Sequence, residues 1–87
     1  MIELTSKPKL AKLFRMQYEE AQGSYVLLYP EGMVKLNQSA SEILKRCDGE
    51  RDVNAIVADI EQSFNAQGLL SDVTGFLEIA TKQGWIV

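Results

Sequence analysis

The chain has 87 residues and a formal net charge of −3, and 46% of its residues are hydrophobic and 24% charged. A chain of this length forms one domain with a single small core, and a hydrophobic fraction this high excludes wholesale disorder. No hydrophobic run approaches the ~20 residues that cross a bilayer, and the N-terminus lacks the hydrophobic segment of a secretory signal. We therefore expect a cytoplasmic protein with no membrane contact.

The first nine residues, MIELTSKPK, contain Pro8 and little periodicity, and they predict a mobile N-terminal arm over residues 1–9. A single domain over residues 10–87 follows. The charge is uneven, because residues 1–18 sum to +3 and the remainder, with five basic and eleven acidic residues, sums to −6. So acidic a body is poorly suited to a polyphosphate partner.

Three strands are predicted after the arm. The alternation from Phe14 to Tyr18 is typical of a half-buried strand, and the hydrophobic run Tyr25–Tyr29 is typical of a central strand covered on both faces. Pro30-Glu31-Gly32 predicts a tight hairpin turn in which Gly32 takes a positive φ and closes a bulge. The third strand, residues 33–37, completes an antiparallel meander.

Three amphipathic helices are predicted after Asn37, where the hydrophobic period lengthens. Ser39 and Glu42 have the S-x-x-E spacing of a capping box that begins the first helix. Polar N-caps and glycines set the other boundaries. These boundary residues are Asp48-Gly49 after the first helix, Asp52 and Gly68 around the second, and Ser71 or Asp72 and Gly84 around the third. The predicted inward residues are Ala40, Ile43, Leu44 and Cys47; Val53, Ile56, Val57, Ile60 and Phe64; and Val73, Phe76, Leu77 and Ala80.

Strands followed by helices predict an α+β domain, in which a three-stranded antiparallel sheet packs against three helices. The first and third strands of such a meander are edges. The edge at residues 33–37 has one lysine and no proline, so it is weakly protected against pairing with another chain. An added peptide strand would gain main-chain hydrogen bonds there, and hydrophobic contacts in a neighbouring cleft would have to supply most of the affinity.

Catalytic chemistry has few candidates in this sequence. Histidine is absent and Cys47 is the sole cysteine, which excludes Ser-His and Cys-His nucleophile pairs, a zinc site and an internal disulfide. Glu19 and Glu20 are adjacent at a strand end and point to opposite faces, so they cannot converge on one substrate atom. We expect no enzymatic activity, no metal and no cofactor.

A helix-turn-helix arrangement of the second and third helices suggests one alternative, a winged-helix nucleic-acid-binding domain. Its recognition helix would run from Ser71 to Gln83. That segment has Lys82 as its one cation against Asp72 and Glu78, whereas helices that enter a DNA groove need arginine or lysine for phosphates and base edges. We therefore expect no nucleic-acid partner.

The segment from Leu28 to Gly49, LYPEGMVKLNQSASEILKRCDG, resembles the PqqD family, and Y-P-E-G, L-N-x-S-A and C-D-G are its most specific parts. These proteins are the small peptide chaperones of pyrroloquinoline quinone biosynthesis and the prototype of the recognition elements for ribosomally made precursor peptides. The resemblance extends from Leu13 to Trp85. It implies a winged-helix-like fold without catalysis, which binds the precursor peptide PqqA and hands it to the radical S-adenosylmethionine enzyme PqqE.

The resemblance also implies where the peptide binds. The peptide adds as a strand to the third strand and lies in a cleft walled by a helix, with the third helix preferred over the first. The same open edge leaves a homodimer as an alternative use of the strand. The implied contacts are Met33, Val34, Lys35, Leu36 and Asn37 on the strand, Phe76, Leu77 and Ala80 on the preferred wall, and Ile43 and Leu44 on the alternative one.

Overall fold

Three strands and then three helices make up the chain in a computed structural model, which describes residues 2–87. The elements are β1 Arg15–Glu19, β2 Ser24–Tyr29, β3 Gly32–Lys35, α1 Gln38–Lys45, α2 Val53–Ser63 and α3 Leu70–Lys82. The predicted order and the α+β class are confirmed. Within residues 2–87, no helix is both long enough and apolar enough to span a bilayer.

The sheet is an antiparallel meander with β2 at its centre. Val26 and Leu27, adjacent on β2 and therefore on opposite faces, are both fully buried, as predicted for a covered central strand. Tyr29 pairs directly with Gly32, so the turn is the two-residue loop Pro30-Glu31. The predicted bulge is wrong, because this pairing leaves no extra residue on either strand.

The core lies between one face of the sheet and one stripe of each helix. Leu27 stands between Met16 and Val34 on this face, and the helical stripes cover it. The buried helical residues are Ala40, Ile43, Leu44, Val53, Ile56, Val57, Ile60, Val73, Leu77 and Ala80. Phe64 was predicted to point inward but is 46% exposed, because α2 ends at Ser63 and the backbone of Phe64 is no longer helical.

The caps of α1 differ from the prediction. Asn37, and not Ser39, caps the helix, since its Oδ1 accepts the N–H of Ala40 at 2.7 Å. Glu42 is consequently not part of a capping box, and its carboxylate binds Arg46 and Lys45. Asparagine is as good a cap as serine, and its position two residues earlier gives the helix one more half turn. α1 also ends before Asp48-Gly49.

The second and third helices confirm one predicted cap and correct two boundaries. Asp52 caps α2 through an Oδ1 that accepts the N–H of Ala55 at 2.8 Å. α2 ends at Ser63 and not near Gly68, which lies in the loop with φ 75°. α3 begins at Leu70, before the predicted Ser71 or Asp72, because the Glu61 carboxylate accepts the N–H of Leu69 at 2.9 Å and takes the place of a local cap.

The N-terminal segment is hydrogen-bonded to the rest of the domain. The carbonyls of Leu4 and Ser6 accept the N–H groups of Asn54 and Val53 in the first turn of α2, and Lys9 exchanges two backbone hydrogen bonds with Val87. The first turn of a helix has N–H groups that need such acceptors. These hydrogen bonds favour an ordered N-terminal segment over the mobile arm predicted for residues 1–9. The mobility of this segment in solution stays a prediction. Met1 lies outside the described residues.

Candidate functional site

β3 leaves one side of its backbone unpaired. The N–H of Leu36 donates to the Tyr25 carbonyl at 3.0 Å. Because hydrogen-bonded pairs alternate along an antiparallel ladder, Val34 also bonds to β2, while Met33 and Lys35 direct their N–H and C=O groups outward. Over residues 2–87, no backbone hydrogen bond outside the ladder involves Met33 or Lys35.

The side chains predicted to contact a guest along β3 have three different placements. Val34 and Leu36 face the helices, half-buried and buried respectively. Lys35 and the half-exposed Met33 lie on the opposite, outer face of the sheet. Asn37 is exposed, and its side chain caps the N-terminus of α1. The guest-facing feature of this strand is therefore its backbone.

A cleft of about 270 Å³ opens next to the end of β3, between the first turn of α1, the last turns of α2 and the first turn of α3. Gln38, the residue after the Asn37 cap, is one of its lining residues. The carboxylates of Glu42 and Asp72 are its charged lining groups. Its hydrophobic lining residues are Ile43, Ile60, Phe64, Leu69 and Val73. We call this space the α1–α3 cleft.

Trp85 ties the other end of α3 to the start of the sheet. Its ring centroid is 6.4 Å from that of Phe76, and its carbonyl accepts the N–H of Ala11 at 2.8 Å. Three residues further on, Phe14 packs against Tyr29 at the hairpin end of β2, with centroids 5.4 Å apart. α3 therefore extends from the Asn37 end of β3 towards its hairpin end.

One flank of α3 lies at the border of the core, where Leu69 and Phe76 pack against the core in part and Ile79 is exposed. Leu69, Asp72, Phe76 and Ile79 are spaced by three or four residues and so form one stripe along the helix. Leu69 and Asp72 line the α1–α3 cleft, which fixes the side that this stripe faces. Phe76 is half-buried and Ile79 is 56% exposed. We call these four residues the α3 flank.

The predicted wall residues fall into two groups, those buried in the core and those that line the α1–α3 cleft or the α3 flank. Leu77 and Ala80 have no exposed surface and Leu44 has almost none, so in this conformation their side chains cannot touch a guest. Ile43 lines the α1–α3 cleft, and Phe76 belongs to the α3 flank. Ile43 and Phe76 are thus the two predicted wall residues that a guest can reach.

Arg46 fixes α1 against α2 beneath the cleft. Its guanidinium, 12% exposed, binds Glu42 at 2.9 Å, Asp59, and the hydroxyl of Ser63. The hydrogen bond from Arg46 holds the pKa of the Glu42 carboxyl below its usual value, and the same group lowers the pKa of Asp59. Glu42 is therefore ionised and held in place where it lines the cleft.

A comparison with known proteins assigns the family. The model of "Coenzyme PQQ synthesis protein D (PqqD)" matches residues 24–86. The chain belongs to the PqqD family. The resemblance of the Leu28–Gly49 segment is thereby confirmed.

Relatives of known name cover nearly the whole chain. It is 56% identical over 84 residues to the PqqA binding protein of Pseudomonas aeruginosa strain UCBPP-PA14, an alignment that covers 95% of this chain and 91% of the relative. It is 49% identical over 86 residues to the PqqA binding protein of Stutzerimonas stutzeri strain A1501, covering 98% of this chain and 94% of the relative.

A solved structure of the family has the same fold. The solution NMR structure of the PqqD truncation of Methylobacterium extorquens PqqCD aligns with a TM-score of 0.78 and 26% identity, over 92% of this chain and 87% of that one. That protein is described as a functional, stand-alone recognition element for ribosomally synthesised and post-translationally modified peptides. The likeness confirms the fold of three antiparallel strands followed by three helices.

The cysteine of this PqqD family member is not a reactive group. Cys47 is 5% exposed, and burial, with a smaller contribution from Asp48, raises its pKa to about 12. The thiolate that would act as a nucleophile is thus scarce at neutral pH. Among residues 2–87, no three histidine, cysteine or acidic side chains are grouped to hold a metal ion.

The sequence analysis did not include three residues of the candidate site, namely Leu69, Asp72 and Ile79. The signal was present, because these residues share one stripe with Phe76, immediately beside the buried stripe of Leu77 and Ala80. A hydrophobic residue on the edge of a buried stripe is compatible with core or surface. Whether such a residue is buried or exposed depends on the helices and strands that pack against α3, and these are distant in sequence.

Proposed function

We propose that this protein binds the precursor peptide PqqA as an added strand on β3 and presents it to the radical S-adenosylmethionine enzyme PqqE in pyrroloquinoline quinone biosynthesis. In this role residues 10–87 form a cytoplasmic peptide-recognition domain that performs no chemistry itself. The observation that carries the proposal is the outward backbone of Met33 and Lys35, which no backbone group outside the ladder pairs within residues 2–87. The relatives named PqqA binding protein support the choice of peptide.

Backbone pairing alone cannot supply the affinity. Each added main-chain hydrogen bond is worth about 0.5–1.5 kcal/mol net, and ordering a flexible peptide offsets much of that gain. Hydrophobic contacts must therefore hold the guest. Phe76, Ile79 and the α1–α3 cleft offer hydrophobic surface for such contacts.

Side chains of an added strand alternate between two faces. On one face they meet the helical layer, where Val34, Phe76, Ile79 and Ile43 are available. On the other face they lie beside Met33 and Lys35 on the outer side of the sheet. Such a site leaves the guest accessible from the side away from β3, which supports presentation of the bound peptide to a second protein.

The test is a titration of isotopically labelled protein with PqqA, followed by amide chemical shifts. We expect the amides of Met33, Lys35, Phe76 and Ile79 to shift together. Unchanged positions at saturating peptide concentration would remove the proposal. Sedimentation of the same samples measures the oligomeric state. A homodimer that pairs through β3 would compete with PqqA for this strand, so it should dissociate into monomers as peptide is added.

Presentation to PqqE needs its own measurement. PqqE should modify PqqA faster when this protein is present at equal concentration, because the bound peptide is held in one register. An equal rate with and without the protein would leave peptide binding intact and remove the presentation step. The nucleic-acid alternative gains no support, since α3 exposes Asp72 and Glu78 against Lys82.

A further inference from the structure

The α1–α3 cleft combines a hydrophobic floor with an acidic rim. Ile43, Ile60 and Val73 are buried at its floor, and Leu69 and the half-exposed Phe64 add hydrophobic wall. The charged side chains that line it are the two carboxylates of Glu42 and Asp72. A purely hydrophobic ligand would make no use of either carboxylate.

The two rim carboxylates are not equivalent. Glu42 is held by Arg46 at 2.9 Å and by Lys45 at 3.1 Å. Asp72 takes part in no ion pair or side-chain hydrogen bond within residues 2–87, and its carboxylate is exposed at the first turn of α3. Asp72 is therefore the rim group that is free to bind a ligand.

The surroundings of the cleft are negative in balance. Asp59, on α2, binds Arg46, and Glu61, at the end of α2, accepts the N–H of Leu69. The ammonium of Lys45 lies 4.7 Å from the centre of the Tyr25 ring and 3.1 Å from the Glu42 carboxylate, so it neutralises part of the charge of Glu42. Four carboxylates, of Glu42, Asp59, Glu61 and Asp72, thus surround the cleft against the two cations Lys45 and Arg46, and this balance favours a cation at the rim.

We infer that the α1–α3 cleft selects a pair of residues in the bound peptide, a hydrophobic side chain for the floor and a neighbouring lysine or arginine for Asp72. The inference rests on the proposed function and specifies the peptide that the site accepts. Lysine and arginine suit this position, because their aliphatic stems pack on hydrophobic surface while the charged end reaches the rim. Repulsion of acidic residues at the rim adds specificity against other peptides.

The position of this pair along the peptide follows from the geometry. Gln38, which lines the cleft, lies three residues after Lys35, the last outward-facing residue of β3. A peptide paired with β3 must therefore continue past Lys35 for this pair of residues to enter the cleft. The cleft therefore fixes the register of the added strand as well as its affinity.

The experiment compares Asp72→Asn with Glu78→Gln by calorimetric titration of PqqA. Both variants remove one exposed carboxylate from α3, but Glu78 lies on the other flank, in a groove formed with the N-terminal segment. We expect Asp72→Asn to weaken binding about 3- to 10-fold at low salt and Glu78→Gln to change it less than about 2-fold. The difference should shrink at high salt, since salt screens a rim ion pair.

A second set of titrations identifies the cation. Each lysine and arginine of PqqA is replaced by glutamine in turn, and each peptide is titrated into both the unmodified protein and Asp72→Asn. One glutamine replacement should weaken binding to the unmodified protein about as much as Asp72→Asn does. The same peptide should bind Asp72→Asn with little further loss of affinity, because a direct ion pair can be removed only once. If no replacement couples to Asp72, or if Asp72→Asn behaves as Glu78→Gln does, this inference is overturned.

Failure of the proposed function would look different. If PqqA does not bind the unmodified protein, or binds without shifting the amides of Met33 and Lys35, the proposed function fails and this inference fails with it. If PqqA binds along β3 and only the Asp72 comparison is negative, the proposed function stands and the selection of a cation is wrong.

Discussion

β1 and β3 are the two edges of one sheet, and both have unpaired backbone groups on their outer sides. They differ in what lies beside them. β1 ends in an exposed turn, residues 20–23, and two of the five residues of β1 are charged. β3 has one charged residue among four, and the α3 flank and the α1–α3 cleft accompany it. Free hydrogen-bonding groups are common to both edges, so the hydrophobic wall is what favours β3 over β1 as the proposed peptide-binding edge.

The position of the α3 flank depends on the core residues of the same helix. Substitution of such a core residue should have the largest effect of all, on the free energy of unfolding. Leu77→Ala should lower the free energy of unfolding by about 2–5 kcal/mol, because it leaves a cavity in the core. Ile79→Ala, two residues away on the exposed flank, should change it by less than about 0.5 kcal/mol. Urea unfolding of both variants measures the difference, and equal losses would contradict the division of α3 into a buried stripe and a free flank.

A proline at Lys35 tests the backbone of β3 directly. Lys35→Pro removes an outward N–H without breaking a bond to β2, and it leaves a carbonyl of the guest unpaired. We expect about 2 kcal/mol weaker binding of PqqA, or roughly 30-fold.

Lys35→Ala is the matched control, since it removes the side chain and keeps the N–H, and it should bind within about 2-fold of the unmodified protein. The amide of Tyr18, directed outward from β1, serves as the reference that should not shift with peptide. Equal affinities of the proline and alanine variants would place the peptide elsewhere.

Two exposed hydrophobic residues, one on the α3 flank and one next to β1, sharpen the comparison of the edges. Ile79→Ser should weaken PqqA binding by about 1–1.5 kcal/mol, roughly 5- to 13-fold, because less hydrophobic surface is buried with the guest. Leu13→Ser changes a residue that is 68% exposed just before β1, and it should leave affinity unchanged. A similar loss in both variants would show that the wall is not specific to β3.

The smallest effect is the pH dependence of the ion pairs under the cleft. Arg46 lowers the folded-state pKa of Glu42 and Asp59. The two ion pairs therefore stabilise the folded state above the usual pKa values of 4.5 and 3.8, and this stabilisation is lost as the pH falls through the lowered pKa values. The stability gap between the unmodified protein and Arg46→Met should therefore narrow from pH 7 to pH 2.5. A gap that stays constant in urea unfolding would show that the ion pairs contribute nothing.

Much of the fold was predictable because it rests on neighbours in sequence. Alternation every two residues placed the strands, the longer period placed the inward faces of the helices, and the Asp52 cap needs only a backbone N–H three residues away. The predicted ends of α1 and α2 and the start of α3 failed for a different reason. Several local caps compete there, and for α3 the decisive group, the Glu61 carboxylate, comes from another helix.

What the amino-acid sequence determines by itself is the order of the elements, the free edge at β3 and the membership in the PqqD family. What only the tertiary structure decides is which side of α3 the guest can touch, and that residues 4–9 pair with α2 and the C-terminal tail. The physical reason is range. Helical and strand periods are set within four residues, whereas Asp72 and Ile43 line one cleft only after α1 and α3 have packed together.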